Sequence, residues 1–241
     1  MQGAQVAVVG DYDADKIPHR AIDACFRFAQ NDASLPVEPV WMATQDILPG
    51  DESALRNSKG VWAAPGSPYR NGEAALWAIA LARITQTPFL GTCGGVQHAL
   101  LEYARNVLGL READHAEINP DTDFPLLQRM ECSLVETSQR IVVVSGTGFE
   151  KLYGSDSGLE DFHCRYGLNP KFEHLFHGGP MEIVARSEDG GVRAVALRAH
   201  PFFIGTLFQP ERKALKGTLH PVVNAFFAAC ARNAVEARHV G

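Results

Sequence analysis

Thr87-Pro-Phe-Leu-Gly-Thr-Cys-Gly-Gly-Val-Gln-His-Ala-Leu-Leu-Glu-Tyr-Ala-Arg-Asn-Val-Leu108 is the stretch around which the rest of the chain reads. A short apolar run, Pro88 to Leu90, ends in Gly91-Thr92-Cys93-Gly94-Gly95. Apolar residues then recur at Val96, Leu100, Tyr103, Ala104 and Val107, the spacing of an amphipathic helix. The pattern predicts a strand, a tight turn and a helix, with Cys93 at the apex. Glycines on both sides of the cysteine allow a sharp turn and the close approach of another backbone or a substrate. A helix beginning just after Cys93 aims its N-terminal N–H groups at the sulfur, which favours the thiolate. The same groups can hold an oxyanion formed when the thiolate attacks a carbonyl. A small buried cysteine in a structural turn would leave the same local trace, so the rest of the chain has to discriminate.

The 241 residues suffice for one large α/β domain with a full core, and 46% hydrophobic with 21% charged residues is ordinary for a globular protein. A net charge of −6, with no block of Lys and Arg, argues against nucleic acid as a partner. The five cysteines (Cys25, Cys93, Cys132, Cys164 and Cys230) are widely spaced and lack a CxxC pair, which points away from a disulfide framework or a zinc site and toward a reducing compartment. No apolar run approaches the ~20 residues of a membrane span, and the first residues lack the basic start of a signal peptide, so a cytoplasmic protein without membrane association is expected.

Strand-like runs at Gln5–Val9, Val37–Met42, Val61–Ala64 and Pro88–Leu90 alternate with helical patterns at His19–Ala29, Ala74–Ile84 and beyond Cys93. That alternation predicts a mainly parallel sheet flanked by helices, with sites beyond the carboxyl ends of the strands, where Asp11, Gly66 and Cys93 fall. Further strands are expected at Val135–Ser145, Met181–Arg186, Val192–Leu197 and Phe202–Phe208, with a hairpin turn at Glu188-Asp-Gly-Gly191 and a final helix at Pro221–Ala237. The second half therefore reads as a small antiparallel extension of the sheet, within a single domain spanning residues 1–241.

Several segments in order resemble the class I glutamine amidotransferases, in particular the glutaminase domain of CTP synthase. These are Gly91 to Gln97 with the helix that follows, Pro65-Gly66-Ser67-Pro68, Ala116-Glu117, Glu160 to Pro170 with its Arg165-Tyr166, and His200 to Glu211. The resemblance covers nearly the whole chain and implies the flavodoxin-like fold of that family. It implies that Cys93 attacks the carboxamide of glutamine, releasing ammonia and leaving a thioester. Ser67 and Gly94 would form the oxyanion hole, and Gly66, Gln97, Glu117 and Arg165 would bind the substrate. Arg165 and Glu117 offer one cation and one acceptor, which is what a zwitterionic amino acid needs.

The departures matter more. The family's triad of Cys, His and Glu places the last two in a His-Pro-Glu tripeptide, and here it reads Gln209-Pro210-Glu211. Glutamine does not titrate, so it supplies neither base nor acid, a loss typically worth about 10²–10⁴ in rate. His98 and His163 are the candidate replacements. Ser67-Pro68 also departs from the family's oxyanion loop, and no synthetase domain is expected within the chain. The resemblance implies no cofactor, and the lack of a GxxxxGK[ST] loop argues against ATP binding of that kind. Three readings stay open: an altered cysteine enzyme acting on glutamine or an analogue, a non-catalytic ligand-binding or regulatory module, and an ammonia-supplying subunit of a separate synthetase chain. A homodimer is compatible with each.

Overall fold

The computed structural model describes residues 3–32, 35–48 and 53–239. The first half runs β1 (Ala4–Val9), α1 (Ile17–Gln30), β2 (Val37–Met42), α2 (Ser53–Asn57), β3 (Gly60–Ala63), α3 (Gly72–Ile84), β4 (Phe89–Thr92) and α4 (Gly94–Asn106). The second half contains β5 (Asp114–His115), β6 (Pro125–Val143), α5 (Gly148–Tyr153), β7 (Ser157–Leu168), β8 (Met181–Ser187), β9 (Val192–Leu197), β10 (Phe203–Thr206) and α6 (Pro221–His239). Among the described residues no helix is long and apolar enough to cross a membrane.

All ten strands join one sheet in the order β2-β1-β3-β4-β10-β9-β8-β6-β5, with β7 paired to β6. Pairings from β2 through β10 are parallel, and β10 then pairs antiparallel with β9. The inner parallel strands β3, β4 and β10 are short and wholly buried, as strands covered on both faces must be. The expected fold is therefore observed. One large difference is β6, which starts ten residues before the expected strand and forms a long ribbon with β7, a strand that the periodicity did not mark. Both carry mostly polar residues with register shifts near Leu134 and Thr137, and such irregular, solvent-facing strands lack clean alternation.

Strand alternation divides the core between two faces. Trp62 of β3, fully buried, meets Phe26 of α1 and Phe226 and Phe227 of α6. Its neighbour Ala63 points to the other face, toward Gly95 of α4. There α3 and α4 are tied by Arg83, which donates two hydrogen bonds to Glu102 from Nε and a third from a terminal nitrogen at 2.7 Å. Gly95 allows this approach: a Cβ on it would stand 2.1 Å from the Ala63 carbonyl oxygen, and one on Gly91 would stand 2.9 Å from the Gly95 carbonyl. The start of α4 is thus pressed against the end of the parallel sheet through bare backbone.

Gly95→Ala must displace α4 from β3, an overpacking that costs about 1–3 kcal/mol. The chemical-denaturation midpoint of this variant should fall with an unchanged slope. A midpoint equal to that of the wild type would contradict the packing described.

Candidate active site

Cys93 lies one residue beyond β4 and caps α4 with φ 52° and ψ −108°. A non-glycine residue there is strained, and the surrounding structure must hold it. Its N–H donates to the Thr206 carbonyl at 2.8 Å, tying the turn to β10, while the glycine contacts hold the helix behind it. The thiol faces a cavity of about 460 Å³ at the carboxyl ends of the parallel strands. Across it stands the loop after β3, and a Cβ on Gly94 would lie 2.9 Å from the Ser67 nitrogen. Two backbone segments meeting this closely beside the thiol have the form of an oxyanion hole.

The expected substrate-binding residues are brought together. Gly66, Ser67, Gln97, Glu117 and Arg165 all line the cavity that holds Cys93. Gly66 takes φ 127°, open to glycine and strained for other residues. Glu117 accepts from the Ser67 hydroxyl at 2.9 Å, which links the acid to the oxyanion loop. No hydrogen bond or ion pair to Arg165 occurs among the described residues, leaving its guanidinium open to a carboxylate. Gln97 differs from expectation. Its amide donates to the Tyr166 carbonyl at 2.8 Å and accepts from His115 at 3.2 Å, so it fastens α4 to β7 and offers a substrate little hydrogen-bonding capacity. His115 is neutral, because burial lowers its pKa to about 3 and its Nδ1 accepts from the Glu117 N–H.

Position 209 lies in the cavity wall, and its side chain is engaged by a neighbour. Its carbonyl accepts from Nε of Arg212. Arg212 also donates to both oxygens of Glu136, at 2.8 and 2.9 Å, and Glu136 accepts from His163 Nδ1 at 2.6 Å. A polar relay of Gln209, Arg212, Glu136 and His163 thus borders the cavity. Arg212 first, and then His163, lowers the Glu136 pKa to about 2 despite some desolvation, so its carboxylate is charged. Of the two candidate replacement bases, His163 lines the cavity and His98 does not. His98 is buried behind Gly94, with Nδ1 2.9 Å from the Gly94 carbonyl oxygen, and burial lowers its pKa to about 4. That corrects the expectation for His98: its helical position turns it into the α3–α4 packing.

Glu211 lies beneath the site, two residues beyond Gln209. It is fully buried, and neither carboxyl oxygen has a hydrogen-bond partner of ordinary geometry among the described residues. Desolvation raises its pKa to about 8, only partly offset by its own N–H, Arg212 and the Thr92 hydroxyl. Three further participants were not foreseen. Glu136 lies at an irregular point of β6 with no motif, and Arg212 directly follows the Gln209-Pro210-Glu211 tripeptide. Cys164 places its sulfur 2.6 Å from that of Cys93, although 71 positions separate them in the chain. Its place directly before Arg165 in a matched segment was the only available signal.

A carboxyl group whose folded-state pKa exceeds its unfolded value binds its proton more tightly when folded. Its stabilisation is complete below the unfolded pKa near 4.5 and is lost as pH rises toward about 8. Glu211→Gln should therefore flatten the decline of stability between pH 4.5 and 8, measured by denaturant unfolding across that range. An identical decline in both proteins would show that Glu211 is not a buried neutral acid.

No protein-family model matches the chain. The CTP synthase of Sulfolobus acidocaldarius is 33% identical over 237 residues, covering 93% of this chain and 44% of that protein. The CTP synthase of Sulfurisphaera tokodaii is 33% identical over 240 residues, covering 94% of this chain and 45% of that protein. The chain therefore spans less than half the length of the curated relatives it matches. In fold, it is similar to the glutaminase domain of Trypanosoma brucei CTPS with bound acivicin, with a TM-score of 0.84, 21% identity, and coverage of 95% of this chain and 94% of that one. It is more distantly similar to PurLQS of Thermotoga maritima, with a TM-score of 0.57, 15% identity, and coverage of 97% and 99%. Sequence relatives and the matched fold agree: the chain belongs to the class I glutamine amidotransferase family and resembles the glutaminase domain of CTP synthase.

Proposed function

We propose that this protein is a cysteine-dependent enzyme that takes glutamine or a related amino-acid-like molecule and attacks its side-chain electrophile with Cys93. In this reading, ordinary glutaminase turnover is weak or absent. The observation that carries the proposal is the contrast within one cavity. Cys93 remains in a strained turn beside Ser67 and Gly94, with Glu117 and Arg165 in reach of an amino-acid head group, while position 209 holds a non-titrating side chain bonded to Arg212. Binding groups for a zwitterion and a nucleophile are kept, and the proton carrier is replaced.

In the proposed reaction, Arg165 pairs with the substrate carboxylate and Glu117 accepts from its ammonium group. The Cys93 sulfur bonds to the electrophilic carbon, and the N–H groups of Ser67 and Gly94 receive the developing negative charge. With a carboxamide, the leaving nitrogen needs a proton that Gln209 cannot deliver, so substrates with a better leaving group or an added electrophilic centre suit the site better. His163 favours a second reading, in which it hands over that proton and the chain supplies ammonia to a separate synthetase. It lines the cavity with Nδ1 held by Glu136.

The test is covalent labelling of the reduced protein with a diazo-ketone analogue of glutamine, or with acivicin, read by intact mass. One adduct at Cys93 is expected, absent from Cys93→Ala. Labelling of Arg165→Ala should be slower by about tenfold or more, the loss of one charge-assisted hydrogen bond. A Cys93 thiol that alkylates with a small reagent but ignores both analogues would contradict the proposal and leave a binding module as the better reading.

A further inference from the structure

Cys164 has no part in the amide chemistry described above, yet its sulfur is the nearest to that of Cys93. The two lie 2.6 Å apart, against about 2.05 Å for a formed disulfide. Each thiol also has a carbonyl acceptor of its own. The Cys93 Sγ is 3.3 Å from the His163 oxygen, and the Cys164 Sγ is 3.2 Å from the Leu207 oxygen. The two thiols are in direct contact, and either can donate its S–H to the other. Both line the cavity, and Cys93, the less buried of the two, is the sulfur that a small oxidant meets. The remaining cysteines do not share this setting: Cys25 and Cys230 are buried in the core, and Cys132 is exposed.

We propose that Cys93 and Cys164 form a redox-active dithiol that reduces small hydroperoxides and closes into an intramolecular disulfide. The Cys93 sulfur attacks the terminal oxygen of the hydroperoxide. An S–O bond forms, the O–O bond breaks, and the alcohol leaves with the proton from the Cys93 thiol. The Cys164 sulfur then attacks the Cys93 sulfenic acid. The S–S bond forms, the S–O bond breaks, and the hydroxide leaves as water with the Cys164 proton. The two sulfurs lose two electrons and the peroxide gains them. An external dithiol returns the pair to its reduced state by thiol–disulfide exchange.

Geometry assigns the order of the sulfurs. Cys93 stands at the turn into α4, in the wall of the cavity through which a peroxide arrives. Cys164 is enclosed on β7, and burial, with Cys93 beside it, pushes its thiol well above the usual range, so it keeps the proton that the departing hydroxide takes. The disulfide would occupy the sulfur that attacks an amino-acid substrate, which makes the two chemistries mutually exclusive. The inference stands on the two sulfurs and not on the identity of that substrate.

The test treats the reduced wild-type protein with one equivalent of hydrogen peroxide, followed by denaturation, alkylation and peptide mapping. Two of the five thiols should become unreactive, with a mass loss of about 2 Da for the two hydrogens removed and a Cys93–Cys164 cross-linked peptide reversed by dithiothreitol. In Cys164→Ser treated with one equivalent of peroxide and no added thiol, no cross-linked peptide should form, and the Cys93 sulfenic acid should be captured by a 1,3-diketone. Cys132→Ser should cross-link as the wild type does. If the Cys164 variant fails to fold, the wild-type peptide map decides alone. Five alkylatable thiols after oxidation, a cross-link between other cysteines, or Cys93 passing to sulfinic acid without a cross-link would overturn the proposal. Labelling of the reduced protein by a glutamine analogue reports separately on the amino-acid pocket, so failure of one reading does not imply failure of the other.

Discussion

The close approach of α4 to the carboxyl end of the parallel sheet is the constraint on which the site depends. Gly95 lets the helix backbone rest against Ala63, Gly94 lets it rest against Ser67, and Cys93 absorbs the resulting turn in a backbone conformation that non-glycine residues avoid. Three consequences follow from this contact. The sulfur is lifted into the cavity, the helix N-terminus is aimed at it, and the loop after β3 is brought into range for an oxyanion. The aromatic packing of Trp62 against Phe26 and Phe227 holds the opposite face of the same strand, which fixes where Ala63 stands. Core packing on one face thus positions chemistry on the other.

Gln209 belongs to a chain of polar and charged groups beside this turn. Gln209 accepts from Arg212, Arg212 pairs with Glu136, and Glu136 fixes the His163 ring. Glu211 is buried with no hydrogen-bond partner of ordinary geometry among the described residues, and it prefers its neutral form. Burying a carboxyl group in this way is costly. A second sulfur, that of Cys164, stands beside the Cys93 thiol. Arg212, Glu136 and His163 share the lining of the cavity with Glu117 and Arg165.

The elements that position the nucleophile were legible because their signals are local. The parallel strands are continuous apolar runs, α4 has a clear helical period, and the clustered glycines mark the turn at Cys93. The ribbon of β6 and β7 was only half legible: polar on much of its surface and broken by register shifts, it lacks the alternation that identifies a strand. Within the site, Ser67, Glu117 and Arg165 could be placed through ordered segments resembling a family. Gln97 joined them in position, but its amide is committed to Tyr166 and His115, a competition that no linear motif encodes. His98 and His163 looked equivalent as candidate bases. Their difference arises from three-dimensional packing, since one turns into the α3–α4 contact and the other borders the cavity. The pairing of Cys93 with Cys164 belongs to the same class, because it joins β4 and β7 across most of the sheet.

In the function we propose, the side chain at position 209 separates this site from an ordinary glutaminase. The most direct measurement is the rate of ammonia release from glutamine by Gln209→His compared with the wild-type protein, both kept reduced. A titrating group beside Cys93, with Glu211 available to orient it, should raise that rate by about 10²–10⁴ over a low wild-type value. Equal rates in the two proteins, or a wild-type protein that already turns over glutamine as fast as the variant, would contradict the account.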